Sequence, residues 1–171
     1  MSTSLTTLIN LTANVTAKKT DDLVTVNAPL TKSYKASLGS GVGAAAADTM
    51  FADTRQLAGG AHEDLDLAGV LIDPTGDVVN LARVKAIIVS AAATNTGPIQ
   101  VGGAAANGWA TWVADATDKV VLQPGSTFAL FAGAADAVAY AVTPATGDLL
   151  TVTNPGVDVA TYDVIVVGAS A

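Results

Sequence analysis

The sequence predicts an all-β fold: an antiparallel β-sandwich of jelly-roll type with an extended N-terminal arm. Three observations carry the prediction. Several segments alternate apolar and polar residues with a period of two, and none sustains the 3.6-residue stripe of a helix. Turn signals recur about every eight to twelve residues, the spacing of a sandwich or jelly roll. Two segments, Leu81–Ala93 and Thr161–Val167, are apolar on both strand faces, as strands covered on both sides are.

The chain divides into an arm or pair of edge strands, residues 1–32, and a sandwich domain, residues 33–171. In the arm, Ile9, Leu11, Ala13, Val15 and Ala17 alternate with Asn10, Thr12, Asn14 and Thr16, which predicts a half-buried strand. Lys18–Asp22 reads as a turn, Leu23–Val26 as a short strand, and Pro29 as its end. Ser33–Leu38 is strand-like and runs into the glycine-rich Gly39–Gly43, after which Ala44–Ala47 suits one helical turn.

Phe51–Leu57 and Asp64–Ala68 flank a loop around Gly60. Paired as a hairpin, they place Arg55 opposite Asp66, an ion pair worth about 0.2–1 kcal/mol. Asp73–Asp77 is a turn, and Val78–Leu81 leads into the central strand. In Leu81–Ala93, Val84, Ala86 and Ile88 share one face, and Ile87, Val89 and Ala91 the other. Thr94–Pro98 is a loop before Ile99–Val101, and Gly102–Gly108 is a second loop ending at Trp109. Pro124 and Gly125 fit the central positions of a type II turn between Lys119–Leu122 and Phe128–Leu130. Val138, Tyr140 and Val142 alternate, and Leu149–Thr153 and Thr161–Val167 close the chain.

Composition narrows the function. The chain has 171 residues, 50% of them hydrophobic and only 13% charged. A typical globular chain carries about 25% charged residues. The deficit fits burial against other subunits better than it fits a bland surface of small residues. A net charge of −7 argues against nucleic acid and against anionic membrane surfaces as partners. There is no cysteine, hence no disulfide framework or thiolate metal site. The start MSTSLTTLIN lacks the form of a signal peptide, and no apolar run reaches the roughly 18 residues of a membrane helix. Synthesis in a cytoplasm, with release as part of a particle, is the expectation.

Candidate chemistry is sparse. Gly39–Gly43 (GSGVG) lacks the strand and long helix that would make it a dinucleotide loop. Glu63, Asp64 and Asp66 form the densest acidic cluster, but without the spacing of a calcium loop; Asp73–Asp77 is a turn first. His62, the only histidine, sits in a glycine-rich region with no nucleophile elbow. Trp109 and Trp112 could stack a sugar, although at strand spacing they point to opposite faces and suit core or subunit contacts better. Asn10 and Asn14 begin glycosylation sequons that carry no meaning without secretion. No acid, base or metal constellation stands out, so no catalytic, cofactor-binding or metal-ligating residue is assigned and the chain is read as non-enzymatic.

The run Phe51–Val89 (FADTRQLAGGAHEDLDLAGVLIDPTGDVVNLARVKAIIV) resembles a segment of small structural proteins of tailed bacteriophages, in its spacing of DTR, EDLDLAG and RVKAI. VLQPGSTFALFA at Val121–Ala132 and ATYDVIVVGAS at Ala160–Ser170 resemble the same group. The likeness extends roughly from Ser33 to Ala171; the arm shares only a Thr/Leu/Asn flavour. The resemblance implies a virion β-sandwich of the capsid decoration (cement) type. Such a protein sits on the outer capsid surface, commonly as a homotrimer, binds the major capsid protein and bridges capsomers. The alternative is a tail, baseplate or head-fibre module that binds host glycan. The arm is then either a strap that reaches a neighbour by strand addition or a part of its own sandwich.

Overall fold

A computed structural model describes residues 4–171; the first three residues of the expected arm lie outside the described residues. The arm is a two-stranded ribbon. Strand β1 (Thr7–Thr20) pairs antiparallel with β2 (Thr25–Ser40) along its whole length, from Thr7 opposite Leu38 to Thr20 opposite Thr25. A tight turn closes it, with the Asp21 N–H donating to the Val24 carbonyl at 2.9 Å. No strand boundary falls at Lys32, and Pro29 does not end the strand as the sequence suggested. It lies opposite Thr16 on a strand whose other edge is open, so its missing N–H points outward and costs no ladder bond. The helical turn expected at Ala44–Ala47 is absent. Gly41, at φ +129°, turns the chain back instead, and β3 (Ala46–Ala47) pairs parallel with Gly39–Ser40. Among the described residues there is no helix.

The body contains β4 (Thr49–Leu57), β5 (His62–Asp66), β6 (Ala68–Ile72), β7 (Val78–Asn80), β8 (Arg83–Ala91), β9 (Ile99–Gly102) and β10 (Lys119–Leu122). It continues with β11 (Thr127–Phe131), β12 (Tyr140–Ala141), β13 (Leu149–Thr153) and β14 (Ala160–Ala169). One sheet runs β11-β8-β14-β4, with β12 beside β8, and the other runs β10-β9-β13-β5. All these pairs are antiparallel. Of the eight main strands, the first pairs with the last and the second with the seventh, and most connections cross between sheets, which is jelly-roll order. A small antiparallel hairpin, β6–β7, lies outside both sheets.

Two turns read correctly as turns connect different sheets. β4 and β5 are not a hairpin: Arg55 stands opposite Tyr162, and Asp66 opposite Leu149, so the expected Arg55–Asp66 pair does not form. Crossing brings Leu57 and Leu65 into one core from facing sheets. The type II turn is present, with Gly125 at φ +77° and the Ser126 N–H donating to the Gln123 carbonyl at 2.8 Å. It too carries the chain across, from β10 to β11.

Strand β8 is central, as expected. Ile87, Val89 and Ala91 meet Ile99, Val101, Leu150 and Val152 of the facing sheet in one buried cluster. A bulge at Lys85 shifts the register against β14, so that Val84 also turns into this core while Ala86 faces out. Lys85 is itself buried; its ammonium donates to the Asp136 carbonyl at 2.6 Å, and burial pushes its pKa down. Ala86 and Val167 of β14 form the outer face, and the arm root covers them. Leu38 and Ala47 complete that second cluster, with Leu5, Ile9, Met50 and Phe131 packed around it. Gly168 fits here because a Cβ would overlap the Arg83 carbonyl and the Leu81 side chain. Gly168→Ala is therefore expected to lower stability by about 1–3 kcal/mol in urea unfolding; an unchanged midpoint would show that the bulge absorbs the methyl group.

Candidate interaction surface

The most elaborate polar cluster joins the two sheets. Glu63 on β5 points inward, beside Leu65. Its Oε1 accepts from the Tyr162 hydroxyl at 2.6 Å, and its Oε2 accepts from Arg55 Nε and Nη2 at 2.9 and 2.5 Å. Arg55 also donates to Asp53 at 3.0 Å. The Glu63 carboxylate raises the Arg55 pKa, and burial, aided by Glu63, raises that of the Tyr162 phenol. Both shifts hold each group in its neutral-pH charge state. The cluster is a clasp between the two sheets.

The other polar candidates are held in local structure. His62 is exposed at the start of β5, opposite Thr153. Asp64 accepts from Thr151 at 2.5 Å and Asp66 from the Ala68 N–H at 2.8 Å. Asp73 accepts from the Thr75 N–H and hydroxyl and from the Asp77 N–H, and these bonds lower its pKa. Among the described residues, no three His, Asp or Glu side chains gather as a metal site would need. Trp109 and Trp112 lie outside any strand, and both turn toward the core. Their N–H groups donate to the Ala141 and Trp109 carbonyls at 2.9 Å, and Trp112 packs against Phe128 with ring centroids 5.3 Å apart. They form no open stacking platform.

The arm differs from everything else in the molecule. Every residue from Asn10 to Lys35 is exposed, and only Ala36 and Leu38 of β2 are buried. The register sorts the ribbon into two faces. Leu11 lies opposite Tyr34, Ala13 opposite Lys32, Val15 opposite Leu30, Ala17 opposite Ala28, and Lys19 opposite Val26. This face is apolar, with two lysines. The other face is polar: Asn10 accepts from Ser33 at 2.6 Å, and Thr12 contacts Ser33 at 3.1 Å. Leu11, Val15, Val26, Leu30 and Tyr34 are each more than half exposed. Fourteen paired residues make a ribbon about 46 Å long. An isolated two-stranded ribbon is marginal in water, so a large uncovered apolar face marks a contact surface.

Charge sharpens the contrast. Residues 1–40 carry four lysines and two aspartates, a net +2, whereas residues 41–171 carry four basic and thirteen acidic side chains, a net −9. The alternation in Ile9–Ala17 marks the apolar stripe on β1, but the half-burial expected of it is absent: from Asn10 onward the strand is exposed on both faces, because no second layer covers the ribbon. The matching stripe on β2 is disguised by Pro29 and Lys32 and becomes visible only through the pairing register.

Compared with protein-family models, curated proteins and solved structures, the chain matches none of them.

Removing the buried hydroxyl with Tyr162→Phe leaves a Glu63 oxygen short of a donor and is expected to cost about 1.5–3 kcal/mol in urea unfolding. The folded phenol titrates above its ordinary value of 10.0, so the unfolded chain loses that proton first. Stability then falls as pH rises above about 10, and Tyr162→Phe flattens the fall; equal slopes for the two proteins would remove Tyr162 as the source.

Proposed function

We propose that this chain is a non-enzymatic structural protein of a tailed-phage virion. It would be a decoration protein that binds the major capsid protein on the outer capsid surface and bridges capsomers, made in the host cytoplasm and assembled as a homotrimer. The observation that carries the reading is the exposed, paired arm on a jelly-roll body, a device for binding. The resemblance of Phe51–Val89 to phage structural proteins supports it, as does the small share of charged residues, 13% of the chain.

The ribbon has two edges, and they are not equivalent. On β2 the outward donor at Pro29 is missing. On β1 the pairing of Thr16 with Pro29 fixes the pattern: even-numbered residues such as Asn10, Thr12, Asn14 and Thr16 turn their backbone N–H and C=O groups outward. That edge is open to an added strand from a capsid subunit. A standard interface of about 1,600 Å² per contact, repeated over many copies, resists the outward push of packaged DNA. The alternative glycan-binding module of a tail, baseplate or head fibre has less support, because both tryptophans are turned into the core with their N–H groups satisfied.

Gel densitometry of purified particles against the major capsid protein tests this reading. Hundreds of copies in a simple ratio are expected. A handful would move the protein to the tail or portal end, and absence would overturn the assignment. In addition, Asn14→Pro removes one outward donor while leaving the β1–β2 ladder intact. It is expected to weaken binding to capsids tenfold or more, and undiminished binding would exclude addition at β1.

A further inference from the structure

A second surface on the body answers the apolar face of the arm. The β6–β7 hairpin turns Leu71 and Val79 into the core and leaves Val70, Ile72 and Val78 more than half exposed. Aspartates rim it: Asp73 and Asp77 at its turn, with Asp48 lining the same shallow cavity as both. The patch is apolar with an acidic border. The arm face is apolar with Lys19 and Lys32 set in it, the Lys32 ammonium lying 5.7 Å from the centre of the Tyr34 ring.

We propose that the apolar face of the arm docks on the β6–β7 patch of a second copy of this chain, in a head-to-tail contact. Charge selects this arrangement. Parallel packing of two arm faces about a symmetry axis sets Lys32 against Lys32, whereas arm on body sets Lys32 beside the turn that carries Asp73 and Asp77. Geometry selects a neighbour over the same chain. The cavity beside Asp73 is lined by Ser4 and Leu5 at the arm root, and from Asn10 onward the ribbon touches no part of its own body closely enough to be covered. A ribbon face about 46 Å by 10 Å offers at most roughly 450 Å² to one contact, less than the share of about 800 Å² per partner in a standard interface. Each junction is therefore weak alone, and a closed ring, in which each copy gives one arm and receives another, holds through several junctions at once. A heterologous contact of this kind closes into a ring when its rotation permits. The inference uses the face of the ribbon, leaves the β1 edge free, and stands whether or not the protein belongs to a capsid.

Sedimentation of the purified full chain, with charge-reversed variants, tests it. The native chain is expected to associate at micromolar concentration, more weakly at high salt. Lys32→Glu and Asp77→Lys each weaken association tenfold or more. Mixing the two variants restores association in part, because a mixed ring of three pairs opposite charges at two of its three arm–body junctions, where either variant alone pairs them at none. The restored assembly also shows that neither variant is misfolded. Leu30→Ser weakens association without rescue by mixing with Asp77→Lys. A chain that stays monomeric at about 100 μM overturns the proposal. Weakening by Lys32→Glu but not by Asp77→Lys overturns it in favour of arm-on-arm packing, and failure of the mixture to reassemble overturns the charge pairing.

Discussion

Two strands in this protein are apolar on both faces, and the architecture follows from that constraint. β8 and β14 lie side by side at the middle of their sheet. Their inner faces carry Ile87, Val89, Tyr162, Val164 and Val166 into the jelly-roll core. Their outer faces, at Ala86 and Val167, need a second cover, and the base of the N-terminal ribbon supplies it through Leu38 and Ala47. Where that cover ends, the outer face becomes wet: Ile165 is 38% exposed. Burial at the root thus fixes where the arm leaves the body, and everything beyond Ile9 is free to meet something else.

Much of this was legible in the sequence. The two-sided apolar pattern of Leu81–Ala93 announced a central strand with a layer on each side. The Pro124–Gly125 turn was readable because proline and glycine impose backbone angles on their own. What could not be read was the destination of each turn. Turn chemistry is local, and the same four residues serve a hairpin or a crossing between sheets. The choice belongs to the core, where Leu57 and Leu65 must meet from opposite sides. The Arg55–Asp66 expectation failed for this reason. Arg55 instead uses Glu63, eight residues away, whose inward direction becomes apparent only once β5 lies in the facing sheet.

The surface was harder to read than the core. Alternation on β1 exposed one half of an amphipathic ribbon, but Pro29 and Lys32 broke the same pattern on β2. Both residues make sense at an edge: proline where no ladder donor is required, lysine where its stem can lie along an aromatic ring while its charge reaches water. The tryptophans show the converse. Strand spacing predicts opposite faces, yet the segment around Trp109 is a tight turn, so both rings reach one core.

Pro29 also sets a limit on growth. A ribbon with two open edges is a seed for unlimited sheet extension, the geometry of a fibril. Here one edge lacks a donor at Pro29, four residues into β2. If two ribbons join through their β1 edges, the resulting four-stranded sheet presents only proline-interrupted β2 strands on either side. Extension stops there. A single imino acid in an otherwise sticky hairpin thus leaves only one of the ribbon's two edges fully equipped for pairing.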